Sequence, residues 1–209
     1  MSQILVLKSS FMQSQSMSNQ LIDAYLQTRQ QQGFEDQVIE HDLAAMHLPV
    51  LDLELFQALR GEVNEKPEIK RAVALSDQFI QELQHCDLLL IAVPMYNLNV
   101  PTQLKNWFDL IARARVTFQY TETAPVGLIQ GVKAAVFSSR GGIHQGLTTD
   151  AVTPYLTAVL GLVGIEDVDF IYAEGTDLQP QGKAKAVQSA LVQINHYLKA
   201  QKSVQNASI

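Results

Sequence analysis

Two runs of this chain carry side chains suited to a flat ring with polar edges. They are Pro94-Met95-Tyr96-Asn97-Leu98-Asn99 and Ser138-Ser139-Arg140-Gly141-Gly142-Ile143-His144. Together they offer an aromatic ring, amides, an arginine, a glycine pair and a histidine. A third run, Lys8 to Asn19, brings five serines ahead of a helical pattern. The first N–H groups of a helix are free and carry partial positive charge, so they hold phosphate, and hydroxyls complete the coordination. Neither G-x-G-x-x-G nor G-x-x-x-x-G-K-S/T occurs in that run, so the dinucleotide and P-loop readings lose their main support. A response regulator would place acidic residues at Lys8-Ser9-Ser10, where none stands.

The elements that must position these runs are legible around them. Leu88 to Val93 precedes the first run, Val132 to Phe137 the second, and Ile4 to Leu7 the third. Short apolar runs rich in branched residues and stopped by Pro or Gly read as strands buried on both faces. Ligands of open α/β sheets bind beyond the carboxyl ends of the strands. All three loops are therefore expected to open onto one crevice.

Between these strands the spacing predicts a helix from Ser16 or Ser18 to Gly33, with Met17, Leu21, Tyr25 and Leu26 at helical intervals. A short strand at Gln37 to Glu40 follows, then a surface excursion from Ala44 to Pro67 with one helical turn near Glu54 to Leu59. Ile69, Val73, Ser76, Phe79, Ile80 and Leu83 give the next helix an apolar face, ending before a strand at Asp87 to Val93. Thr102 is expected to cap a helix carrying Leu104, Trp107, Phe108 and Ile111. Alternation over Val116 to Tyr120 and a Thr-Ala-Pro-Val-Gly turn predict an inserted hairpin. Thr149 to Leu162 reads as a helix stopped by Gly164, Val168 to Tyr172 as a strand, and Ala184 to Leu198 as the last helix. Residues 1–202 read as a single unit without repeat or linker, and 203–209 as a frayed tail. Five strand–helix alternations mean a three-layer α/β fold, a parallel sheet with helices on both faces. Five strands favour the flavodoxin-like order 2-1-3-4-5.

Composition narrows the partners. The 209 residues are 47% hydrophobic and 17% charged, as expected of a globular chain with a real core, and the net charge is −6. No basic tract invites nucleic acid or an anionic membrane. No apolar run approaches the roughly 20 residues that span a bilayer, and no charged leader with a cleavage site opens the chain. The single Cys86 excludes an internal disulfide framework and suits a reducing compartment, so a cytoplasmic location and a core role for Cys86 are expected. His41 and His47 lie near Glu40 and Asp42 but lack ligand spacing, so no metal is expected.

Several longer motifs then coincide. Val6-Leu7-Lys8-Ser9-Ser10, Ser16 to Leu21, Pro94 to Asn97, Gln103 to Asp109, Val116-Thr117-Phe118 and Ser139 to His144 together resemble the FMN-dependent NADH azoreductase and quinone reductase family, in the family's order and over nearly the whole chain. The resemblance implies tightly bound FMN, NADH as co-substrate, and a homodimer with flavin at the subunit interface. It implies that Ser10, Ser16, Met17 and Ser18 hold the FMN phosphate. Pro94, Met95, Tyr96, Asn97 and Leu98 would lie along the isoalloxazine, and Ser139, Arg140, Gly141 and Gly142 would close its other edge. His144 would stand near the ring or substrate as a candidate proton donor. Phe118, Tyr120, Leu162 and Arg60 would serve substrate or co-substrate. The chain departs from the family pattern at Leu98 and Leu162, where Phe is usual, and at Ala124, where Gly is common.

The implied chemistry is hydride transfer from NADH to the flavin and on to a quinone or azo compound, with substrates alternating at one face. Glycine lets the backbone approach closely, so N–H groups of Gly141 and Gly142 are suited to charge developing on a ring edge. A flavodoxin-type electron carrier would share the phosphate loop, and a flavin-free binding module the fold. The hairpin and the aromatics Phe118 and Tyr120 favour a roofed small-molecule pocket over either.

Overall fold

The computed structural model describes residues 1–207, with side chains as far as residue 203. The strands are β1 (Ser2–Lys8), β2 (Asp36–Asp42), β3 (Leu88–Pro94), β4 (Phe118–Tyr120), β5 (Pro125–Gly127), β6 (Lys133–Ser139) and β7 (Val168–Ala173). The helices are α1 (Met17–Gln31), α2 (Leu53–Leu59), α3 (Pro67–His85), α4 (Thr102–Ile111), α5 (Val152–Val163) and α6 (Gly182–Ala207). The main sheet has the order β2-β1-β3-β6-β7 with every pair parallel, while β4 and β5 form a separate antiparallel hairpin. Counting only strands of the main sheet, this is the expected order 2-1-3-4-5.

The apolar runs set the layers. Every residue of β3 is buried, as the centre of a two-faced sheet requires. Alternate residues of the strands point to opposite sides. Leu5, Leu7, Leu89, Ile91 and Val93 pack against α2, α3, α4 and α5 in one core. Ile4, Val6, Leu88, Leu90 and Ala92 pack with α1 and α6 in the other. Cys86 is a buried core residue whose thiol burial pushes up to about 12.

Several local expectations need correction. Thr102 is the first residue of α4 and makes no capping bond; the cap position belongs to Pro101, whose ring presets the backbone. Pro125 to Gly127 form β5 rather than a turn, a place open to proline at the start of a strand. The turn is Thr121 to Ala124, closed by Thr121 N and Oγ1, both donating to Ala124 O. Thr117 leaves the expected strand because its Oγ1 donates to Ile111 O at 2.6 Å, which turns it inward. The fifth helix begins at Val152 rather than Thr149, because the Asp150 side chain accepts from Thr153 N. Helix α6 continues to Ala207, past the expected end at residue 202, and residues 208–209 of the expected tail lie outside the described residues.

The hairpin is seated on α5 by a backbone contact. A Cβ on Gly127 would lie 2.0 Å from Gly164 N, and one on Gly164 would lie 2.5 Å from Ile129 O. Gly164 also ends α5 at φ +105°, the left-handed conformation that glycine adopts freely.

Candidate functional site

The loops after β1, β3, β6 and β7 all leave the carboxyl edge of the sheet, and hydrogen bonds tie them together. Ser9 Oγ donates to Ala92 O at 2.6 Å, and Ser10 Oγ pairs with Tyr96 OH at 2.7 Å. Met95 N donates to Ser139 O at 2.9 Å. Phe11 stacks on Tyr96 with ring centroids 4.5 Å apart. The first three loops, which hold most of the expected site residues, therefore do converge.

The first loop ends in a built helix terminus. Ser16 caps α1, its Oγ accepting from Asn19 N and pairing with Ser18 Oγ at 3.0 Å. Ser10, Ser16 and Ser18 are all buried, while Met17 is half-buried. Among the described residues, the N–H groups of Met17 and Ser18 have no acceptor in the chain. Two free donors beside enclosed hydroxyls suit an anion. Lys8 does not join them, since its Nζ is held by Asp23 at 2.8 Å and Glu40 at 3.0 Å.

The loop after β3 is a tight turn. Tyr96 N donates to Asn99 O and Asn99 N to Tyr96 O, with Asn97 at φ +49° and Leu98 at φ +65° between them. Leu in the left-handed region costs about 1 kcal/mol, a strain that such turns hold at ligand sites. Pro94 is buried, Met95 and Tyr96 are half-buried, and Asn97 and Leu98 are exposed at the tip.

The loop after β6 departs from expectation at Arg140. Its side chain is wholly enclosed and points into the protein. It donates to Ser138 Oγ at 3.1 Å, Thr153 Oγ1 at 2.9 Å and Glu174 Oε1 at 3.2 Å, pairs with Asp150 at 3.0 Å and lies over the Tyr172 ring. Burial alone would raise the Asp150 pKa, but the hydrogen bonds from Arg140 and Thr153 outweigh it and hold the carboxyl below its usual value. Arg140 therefore supports the loop from beneath and offers nothing to the crevice. The glycines after it do. Arg140 O accepts from Thr176 N, and Gly141 O accepts from Asp177 N. In a trans peptide the N–H points opposite to the C=O. The N–H groups of Gly141 and Gly142 thus face away from the 174–177 segment, and both are free among the described residues. A Cβ on Gly142 would lie 2.8 Å from His144 Nε2, so only glycine fits there unless the ring moves. His144 Nδ1 pairs with Thr149 Oγ1 at 2.9 Å, which leaves Nε2 as the open ring nitrogen.

The residues expected around the substrate are not all gathered in one place. Phe118 is buried, and Tyr120, edge-on to it at 5.4 Å, projects outward. Leu162 is half-buried on α5. Arg60 is exposed at the end of α2, stacked on Phe56, and no hydrogen bond or ring contact links it to the three loops. The segment Glu174 to Leu178 escaped the sequence reading although it follows a strand at the same edge. Its acidic and glycine residues behind β7 were the available signal.

A cavity of about 700 Å³ lies at the opposite, amino end of the strands, between Arg29, Phe34, Phe170 and Tyr197. Its polar groups are largely engaged, Arg29 by Asp36 and Gln201, Lys133 by Asp167, and Gln193 by Tyr172. Among the described residues, no group of three or more His, Cys, Asp or Glu is placed to hold a metal ion.

An anion seat at the first helix, a strained turn at the second loop and a free N–H pair at the third, on sheet order 2-1-3-4-5, define a flavodoxin-like protein. The family model described as a flavodoxin-like fold matches residues 2–198. The FMN-dependent NADH:quinone oxidoreductase 4 of Burkholderia lata is 63% identical over 182 residues, covering 87% of this chain and 92% of that protein. The FMN-dependent NADH:quinone oxidoreductase of Escherichia coli K12 is 49% identical over 201 residues, 96% of this chain and 100% of that protein. The chain belongs to this family of flavodoxin-like oxidoreductases. The crystal structure of an azoreductase from Bacillus anthracis Sterne has the same fold, with a TM-score of 0.82 and 26% identity over 93% of this chain and 97% of that one.

Proposed function

We propose that the chain is an FMN-dependent oxidoreductase that uses NADH to reduce quinones in two-electron steps and to cleave azo compounds to amines. The single observation that carries this reading is the convergence of three loops at one sheet edge, with N–H groups that are free among the described residues at Met17–Ser18 on the first and at Gly141–Gly142 on the third. These residues fit FMN, which needs an anion seat for its phosphate and donors for its polar ring edge. Ser10, Ser16, Met17 and Ser18 hold the phosphate. Pro94, Met95, Tyr96, Asn97 and Leu98 carry the ring, and Ser139, Gly141 and Gly142 face its other edge. Arg140 serves by fixing that loop.

Bound there, FMN would supply hydride-transfer chemistry between NADH and the second substrate. The protein's part is to orient both partners at one open face. We infer that Tyr120 of the hairpin, with Leu162 and Arg60, lines that face from a second copy of the chain, the working unit being a homodimer with the sites at its interface. Phe118 backs Tyr120 from inside. His144 Nε2 is the ring nitrogen available to a substrate atom, and so the loop's candidate proton donor. Residues 1–202 form one flavin-binding unit in a cytoplasmic protein. The electron-carrier alternative accounts for the phosphate seat but gives the hairpin no task.

One shared face requires NADH to leave before the acceptor binds. Initial rates with NADH and a quinone varied together are expected to give parallel double-reciprocal lines, and lines meeting at a point contradict the shared face. An azo dye is expected to consume two NADH per bond cleaved.

A further inference from the structure

The segment after β7 touches the glycine loop peptide by peptide. Thr176 N donates to Arg140 O at 3.1 Å, Asp177 N to Gly141 O at 3.1 Å and Gly175 N to Gly142 O at 2.8 Å. At its head stands Glu174. One oxygen, Oε1, accepts from His144 N at 2.8 Å, Gln145 N at 2.8 Å and Arg140 Nη1 at 3.2 Å. It thereby joins the first side chain of the loop to the backbone at its far end.

We propose that Glu174 is a positioning residue for the ring-binding edge: it fixes the loop from Arg140 to Gln145 so that the Gly141 and Gly142 N–H groups hold their aim. This rests on FMN occupying the crevice as proposed above. If the carboxylate swings away, the amides of His144 and Gln145 lose their acceptor and the enclosed Arg140 keeps only Asp150 as a counter-charge. The loop packs closely on that segment, since a Cβ on Gly141 would lie 2.5 Å from Asp177 Oδ2 unless that side chain moved. Glu174 acts on the ring and not on the phosphate, which is seated at α1 across the sheet edge.

The test uses full-length apoprotein titrated with FMN and with riboflavin, followed by quenching of flavin fluorescence. E174A is expected to weaken both by about tenfold or more and by the same factor, since no phosphate contact changes. E174Q keeps an oxygen that accepts the two amides, so it is expected to bind both within about threefold of the wild type. If E174A does not fold, E174D takes its place: it keeps the charge beside Arg140 but draws the oxygen back by one methylene, and is expected to bind both flavins as weakly. Wild-type binding by E174A or its substitute, weakening toward FMN alone, or an E174Q as weak as E174A each overturns the assignment. A wild type that binds neither flavin overturns the functional reading together with it.

Discussion

Ser18 is fully buried, yet its hydroxyl has Ser16 Oγ as its partner, and the N–H beside it has no acceptor in the chain. Burying such groups is unfavourable unless something answers them, and a bound phosphate oxygen does. Replacing Ser18 with Ala is therefore expected to weaken FMN binding by about ten- to a hundredfold, the range of a hydrogen bond to a charged group, while riboflavin binding stays unchanged. Fluorescence titration of both flavins checks this, and equal losses for the two contradict a phosphate contact. The serines were readable from the sequence because hydroxyls before a helix have a known use. Arg140 was not. Its place in an exposed-looking Arg-Gly-Gly run gave no sign of Asp150 and Glu174, which are 10 and 34 positions away and meet it only in the folded chain.

Elements were more legible than single side chains. Solid apolar runs marked β1, β3 and β6, and the alternation of strands with helices fixed a parallel sheet before any contact was known. Helix and strand ends moved where a side-chain bond to the backbone competed, from Thr117 to a carbonyl outside its run and to Asp150 from an amide inside its own, since hydrophobic spacing does not register such bonds. The seating of the hairpin was also hidden, since a glycine needed for close approach looks the same in sequence as one needed for a turn. At Gly164 both needs coincide, for the residue has φ +105° and faces Ile129 O. Gly164→Ala is expected to cost about 2 kcal/mol or more and to lift the hairpin from α5. Urea unfolding measures the loss; a stability within about 0.5 kcal/mol of the wild type contradicts this packing.

At the scale of the whole molecule, the carboxyl edge is unusually apolar for a surface. Phe11, Met12, Leu98, Ile143, Leu147 and Leu178 are all exposed there, on the loops that form the crevice. Apolar groups clustered around a ligand mouth mark an interface, and a second copy covers them in the proposed homodimer. Sedimentation is expected to show a dimer at micromolar concentration, and Ile143→Asp to shift it toward monomer; a wild-type monomer contradicts the dimer. The acidic surface, with net charge −6, adds a reason to expect no nucleic acid partner. The central claim is that this edge holds a flavin reducible by NADH, and an anaerobic visible spectrum tests it most directly. One equivalent of NADH added to the FMN-loaded protein is expected to bleach the flavin band, and a quinone added afterwards to restore it. A bound flavin whose band NADH leaves untouched would contradict the account.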